Sequence, residues 1–125
     1  MKFNFFLNLA VLISIIFFNG KNLVFGANYN WIEVSKTSAG IQYLDRESLN
    51  IKDNGTIEIT TKYLKIDTNS LKEIEENIYV MRINCLKNEF KDISVNGKIN
   101  LNAKWEAPKG DKLLDDVILD SCKNV

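Results

Sequence analysis

Three clusters of carboxylates contain the residues best suited to chemistry, and the first of them is the strongest candidate. This first cluster lies between Tyr43 and Ser48, and in it Asp45 and Glu47 flank Arg46. Two carboxyl groups held about 5–10 Å apart can hydrolyse a glycosidic bond, so the run is a candidate for acid–base catalysis. A turn in which Asp45 or Ser48 hydrogen-bonds to the local backbone explains the same residues more simply. We therefore assign no catalytic residue.

The other charged clusters have the pattern of solvated surface. Glu73, Glu75 and Glu76 lack the turn and oxygen-ligand pattern of a cation site, and we expect one or two helical turns over residues 69–76. The same interpretation applies to Asp115, Asp116, Asp120, Lys87, Lys91, Lys98 and Lys104, the lysines being interrupted by Glu89 and Asp92. The sequence therefore predicts neither a metal site nor a cofactor.

The composition excludes several functional classes. The chain of 125 residues has no histidine and two cysteines, which removes histidine-dependent catalytic triads, histidine-ligated metals and four-cysteine zinc sites. No phosphate-binding loop or dinucleotide-binding motif is present. The 16 basic and 16 acidic residues leave no positive excess for binding nucleic acid.

The first 27 residues have the pattern of a secretory signal peptide. Lys2 precedes 16 largely apolar residues, a run shorter than the about 20 residues of a membrane-spanning helix. Val24 and Gly26 fit the −3 and −1 positions for cleavage after Gly26. Cleavage after Ala27 ranks second, because it would place the bulky Phe25 at −3. We expect export and removal of this signal region (residues 1–27), so that the mature chain begins near Ala27 or Asn28 and residues 28–125 form one domain without a transmembrane segment. An uncleaved N-terminal anchor is the alternative.

The exported part contains both cysteines, Cys85 and Cys122. An even number of cysteines in a small exported domain predicts a disulfide. A redox-active pair normally has two residues between its cysteines, whereas 36 residues separate these two. We therefore predict a structural disulfide.

Alternating apolar residues predict an antiparallel sheet, with short strands at residues 31–34 and 40–44. Residues 49–59 predict a hairpin centred on Asn54, which pairs Ile51 with Ile57 and Leu49 with Ile59. Its return strand continues to Ile66 and places Ile57, Ile59, Thr61 and Tyr63 on one face.

A second hairpin and a helix follow. Residues 78–85 predict the strongest strand, with Cys85 on its apolar side. The next hairpin has either a two-residue turn at Asn96 and Gly97 or a three-residue loop that includes Lys98. We predict the longer loop, because it pairs the apolar residues of the two strands. Asp111 caps a helix from Lys112 to about Cys122.

The large aromatic side chains are the remaining candidates for a binding cleft. They are Trp31, Tyr63, Tyr79, Phe90 and Trp105. Packing in the core explains most of them equally well, so the ligand-binding residues stay unassigned.

Several short motifs together resemble the bacterial surface-adhesin protein E-like domain family. They are Trp31, the run from Tyr43 to Leu49, Gly55 before a strand, residues 83–85, Trp105 ahead of Pro108, and Cys122. The resemblance covers residues 30–123 and implies an α+β fold: a curved, half-barrel-like antiparallel sheet with a C-terminal helix on its concave face. It also implies a disulfide between sheet and helix, at Cys85 and Cys122. The chain lacks the lipid-attachment cysteine of a surface-tethered adhesin.

These features predict a small exported, non-enzymatic domain that binds an envelope or extracellular protein. It would act in the periplasm, at the cell surface or after secretion, and its oligomeric state is left open. A structural envelope component without a dedicated ligand is one alternative, and a carboxylate-dependent hydrolase is another.

Export has a direct test in the intact mass of the native protein from fractionated cells. We expect a mass that lacks residues 1–26 and that rises by two hydrogens on reduction, since cleavage follows Gly26 and one disulfide is present. A full-length mass with free thiols would contradict both expectations.

Overall fold

The computed structural model describes residues 28–125, and the segment expected to be a signal peptide lies outside this range. Six strands and one helix follow in chain order: β1 (Trp31–Thr37), β2 (Gly40–Ile51), β3 (Thr56–Ile66), β4 (Glu73–Asn84), β5 (Glu89–Val95), β6 (Lys98–Ile99) and α1 (Lys112–Ser121). The strands form one antiparallel sheet in sequential order. This arrangement confirms the predicted α+β class. No helix within residues 28–125 has the length and apolar character needed to span a membrane.

Strands β3 and β4 form the centre of the sheet. Ile57 pairs with Ile83 and Ile59 pairs with Met81, and all four side chains are buried. Because cross-strand partners share a face, these residues define the core face of the sheet. The predicted alternation on β3 and its end at Ile66 are confirmed.

The candidate catalytic run from Tyr43 to Ser48 lies in β2, where an irregularity interrupts the pairing with β3 between Asp45 and Asn50. The Ser48 hydroxyl donates to the Asp45 carbonyl at 2.6 Å and accepts from the Thr60 amide at 2.8 Å. The Asp45 carboxylate accepts from the Glu47 amide at 3.2 Å. The side chains of Asp45 and Ser48 therefore both form hydrogen bonds with nearby backbone groups. The irregularity keeps the predicted Ile51–Ile57 pair but removes the Leu49–Ile59 pair, which was wrong.

The predicted three-residue loop in the last hairpin is wrong. Val95 pairs with Lys98, so the turn contains only Asn96 and Gly97, both with positive φ. Asn and Gly tolerate this conformation, and a two-residue turn matches the twist of the strands. The apolar pattern does not fix the register here, because Ile99 is 78% exposed.

The helical turns expected over residues 69–76 are also wrong. β4 already begins at Glu73, and Glu75 and Glu76 pair with Lys65 and Leu64 of β3. Pairing with β3 gives the backbone N–H and C=O groups of this segment hydrogen-bond partners. These bonds stabilise the strand more than the weak helical tendency of the sequence would stabilise a helix.

The helix packs on the core face above β1 and β2 and begins as predicted. The Asp111 carboxylate caps it by accepting from the Leu113 and Leu114 amides at 3.0 and 3.3 Å. Its apolar stripe buries Leu113, Val117 and Ile118.

Polar contacts also attach the helix to the sheet. The Ser35 hydroxyl donates to the Asp116 carboxylate at 2.6 Å, and Arg46 donates two hydrogen bonds to Asp120 at 3.0 and 3.2 Å. The interpretation of Asp116 and Asp120 as solvated surface was therefore wrong, because the helix lies closer to β1 and β2 than a sequence pattern can indicate.

The predicted disulfide joins Cys85, directly after β4, to Cys122 at the end of α1, with 5.8 Å between their Cα atoms. The Cys85 amide also donates to the Gly55 carbonyl at 3.0 Å, which ties this turn to the β2–β3 hairpin. Both cysteines pack against the hydrophobic core.

Replacing either cysteine should destabilise the fold equally. We expect Cys85→Ser and Cys122→Ser each to lower the free energy of unfolding by about 2–4 kcal/mol, because each change removes the same cross-link. Urea denaturation measures this, and reductant should lower the wild-type value to that of the variants while leaving the variants unchanged. Clearly unequal losses would contradict a shared bond.

Candidate functional site

A cavity of about 320 Å³ lies between the start of α1 and the core face of the sheet. We call it the acidic cavity and define it by its polar and phenolic lining residues, Gln42, Tyr63, Tyr79, Asp92, Glu106 and Asp111. Apolar side chains complete its wall, among them Phe90 and Leu114.

The alternation of the central strands places the two tyrosines in the cavity. Tyr63 continues the buried face of β3, and Tyr79 lies on β4 opposite Thr61. The Tyr63 hydroxyl donates to the Ala39 carbonyl at 2.5 Å. Gly40 permits this approach, since a Cβ there would lie 2.7 Å from the Tyr63 ring and 2.5 Å from the Leu64 carbonyl oxygen.

Besides Asp111 of the helix cap, two carboxylates line the cavity, Asp92 from β5 and Glu106 from the segment before α1. Asp92 pairs with Met81, two residues beyond Phe90 on the same face. Glu106 forms an isolated bridge with Phe90, in which each amide donates to the other carbonyl at 2.8–2.9 Å. Because bridged partners share a face, this bridge brings Glu106 beside Asp92.

The electrostatic environment of the cavity is negative. Burial, and to a smaller extent the neighbouring Glu106 carboxylate, together raise the pKa of Asp92 to about 6. Burial, followed by Asp92 and Glu75, raises the pKa of Tyr79. Burial, Glu75 and Asp111 raise the pKa of Tyr63. Apart from Tyr63, which also raises the pKa of Tyr79, the charged neighbours that raise these three pKa values are carboxylates.

Gln42 is the most buried polar side chain of the cavity, with 4% of its surface exposed. None of the side-chain hydrogen bonds found within residues 28–125 involves its amide, and the residue lines the cavity. A buried amide without a protein partner retains its capacity to donate and to accept. It therefore can bond to a group that enters the cavity.

On the opposite face of the sheet, a lysine side chain of the protein lies over a group of aromatic rings. The Lys62 ammonium lies 5.1 Å from the centre of the Trp31 ring and 4.5 Å from that of Tyr43. It also lies 4.0 Å from the Glu76 carboxylate, and Tyr29 stacks on Trp31. The positive charge of Lys62 is therefore balanced by Glu76 and by the two aromatic rings within this group.

The structure brings together only some of the aromatic residues singled out in the sequence. Tyr63, Tyr79 and Phe90 line the acidic cavity, whereas Trp31 lies on the opposite face. Trp105 lies outside the cavity with the Lys91 ammonium 4.7 Å from its ring centre.

Sequence reasoning missed Asp92 and Glu106 as residues of the cavity. Asp92 was interpreted only as an interruption in a lysine series, although its spacing from Phe90 indicates a core-facing position. Glu106 has no such signal, since its place depends on the bridge to Phe90. Within residues 28–125 no group of three cysteines and carboxylates is arranged to hold a metal ion.

Comparison with known proteins identifies one family. Residues 32–125 match a family model described as the surface adhesin-E family. No curated protein and no solved structure matches the chain.

Neutralising Asp92 should stabilise the fold at neutral pH. The raised pKa means that the folded state disfavours ionised Asp92, so its cost is fully present above about pH 6 and is lost as the pH falls from there towards 3.8, the ordinary value of the carboxyl group. After allowance for solvent in the open cavity, we expect Asp92→Asn to raise the free energy of unfolding by about 1–2 kcal/mol at pH 7.5.

The advantage of Asp92→Asn over the wild type should shrink as the pH approaches 4, as measured by urea denaturation. The exposed Asp53→Asn change is the matched control, and we expect it to leave stability within about 0.5 kcal/mol. An equal effect of both changes, or a pH-independent difference, would contradict this account.

Proposed function

Because the chain belongs to the surface adhesin-E family, we propose that it is an exported, non-enzymatic module that binds a protein in the cell envelope or outside the cell. The family match is the observation that carries this proposal, and it covers nearly all of the described residues. An adhesion-type role at a surface is what the family suggests; the protein ligand and its binding site are our inference.

Two further features support an extracytoplasmic location. The Cys85–Cys122 disulfide is typical of proteins that fold in an oxidising compartment. The apolar segment at residues 3–18 has the length and the small-residue exit of a secretory signal.

A second candidate function is favoured by one observation in the cavity. Asp92 has a pKa of about 6 and lies beside Glu106, and a protonated acid next to an ionised carboxylate is a pair that glycosidases use. We place this hydrolase hypothesis second, because the family match points to adhesion and the cavity contains no nucleophile other than its carboxylates and phenols.

Binding assays on the oxidised domain, residues 28–125, test the adhesion hypothesis. We expect saturable binding to at least one purified extracellular-matrix protein, with a dissociation constant of about 1 μM or tighter, measured by biolayer interferometry. Reduced and alkylated protein is the control, and we expect it to bind more weakly because the helix loses its cross-link. Signals no stronger than those on albumin, across matrix proteins and intact host cells, would contradict the proposal.

The hydrolase hypothesis is separated from adhesion by a turnover assay. Aryl glycosides incubated with the same protein at pH 5–7 should release no aryl alcohol above the rate seen with Asp92→Asn. Turnover that depends on Asp92 would instead favour the hydrolase.

A further inference from the structure

We propose that the acidic cavity binds an organic cation on an alkyl arm, that is, the ammonium of a lysine or the guanidinium of an arginine side chain. This inference deepens the proposed function, and it rests on that function for the source of the cation, which would be a side chain of the protein ligand. The chemistry of the cavity itself is argued from the contacts that follow.

The first argument is that the carboxylates of Asp92 and Glu106 form no ion pair with another described residue. Among residues 28–125, the ion pairs use Asp116, Asp120, Glu58 and Glu76, and none includes Asp92 or Glu106. Two carboxylates that share a partly buried site repel each other, and this repulsion adds to the cost of burying Asp92. A cation placed between them would reverse the sign of this interaction.

The second argument is the amide of Gln42, which is independent of the carboxylates. Its side chain is 4% exposed and lines the cavity without a hydrogen bond to another described side chain or backbone group. The amide oxygen of Gln42 is therefore available to accept a hydrogen bond from an N–H group of a bound cation.

The third argument is a comparison of the two faces of the sheet. On the opposite face, two aromatic rings and Glu76 surround the chain's own Lys62. The acidic cavity offers a similar set of rings and carboxylates, from Tyr63, Tyr79, Asp92 and Glu106. Within residues 28–125, however, the lysines found over aromatic rings are Lys62 and Lys91, and neither lies over a ring of the cavity.

The size and lining of the cavity favour an organic cation over a metal ion. Its volume of about 320 Å³ is roughly that of ten liquid water molecules, which is ample for a four-carbon chain with an ammonium group. Aromatic and apolar walls suit the methylene groups of such a chain, and cations are attracted to ring faces within about 6 Å. Among residues 28–125, the carboxylates and cysteines form no group of three that could hold a metal ion.

Chemical-shift titration of ¹⁵N-labelled residues 28–125 tests the chemistry of the cavity. The probes are n-butylammonium and n-butylguanidinium, with neutral n-butanol as the matched control. We expect both cations, but not butanol, to shift the amides of Gln42, Tyr79 and Asp92 with a dissociation constant on the order of millimolar.

Two variants sharpen this titration. Asp92→Asn should weaken binding of n-butylammonium by about tenfold or more, because it removes a charge-assisted hydrogen bond. Asp53→Asn removes one exposed carboxylate elsewhere and should leave binding unchanged. Asp92→Asn is expected to fold at least as stably as the wild type, so its loss of binding cannot be attributed to unfolding. Absence of shifts at the cavity, or equal binding by both variants, would overturn the proposal.

A peptide pair tests the source of the cation. An acetyl-Gly-Lys-Gly-amide peptide should shift the same amides, and its Nε-acetyl-lysine form should not. Binding of n-butylammonium without binding of the lysine peptide would overturn the assignment to a protein side chain. If the lysine peptide binds at the cavity but no matrix protein or host cell does, the proposed adhesion fails while the cavity assignment stands.

Discussion

The attachment of one short helix to one face of the sheet is the constraint on which the rest of the structure depends. The described domain is small. Its core consists of one residue of β2, two of β3, two of β4 and one of β5, covered by two of the helix: Leu44, Ile57, Ile59, Met81, Ile83, Phe90, Val117 and Ile118. A domain of this size buries a modest share of its surface, so loss of the helix would expose most of the core. The disulfide holds the end of the helix, and the hydrogen bonds of Asp116 and Asp120 to Ser35 and Arg46 attach the helix to β1 and β2.

The acidic cavity follows from this same constraint. A six-stranded sheet is about 24 Å wide at the usual strand spacing, whereas a helix with its side chains is about 10 Å across. The helix lies above β1 and β2, and the core face toward β5 is left to tyrosines and carboxylates. Strand alternation, the N-terminal end of the helix and the segment before it, which the Phe90–Glu106 bridge holds in place, fix the walls of this site.

The sequence predicts well what depends on local pattern or on a covalent pair. The helix and its Asp111 cap follow from apolar spacing, the face of β3 follows from alternation, and the cysteine pair follows from count and compartment. The sequence does not predict features that depend on pairing between residues far apart in the chain. Glu73 enters a strand because β3 is available to pair with it, and the exposed β6 lets the Asn96–Gly97 turn set the register. Glu106 reaches Asp92 only through a bridge that no periodicity indicates.

The central claim is that a disulfide-held helix leaves a cavity suited to an organic cation. A crystal structure of residues 28–125, grown at pH 7.5 and soaked with n-butylammonium, tests this claim most directly. The account predicts the ammonium nitrogen within about 3 Å of a carboxylate oxygen of Asp92 or Glu106, with the alkyl chain against the tyrosine rings. A cavity filled by the protein's own side chains, or an ammonium bound elsewhere while the cavity stays free of it, would contradict the account.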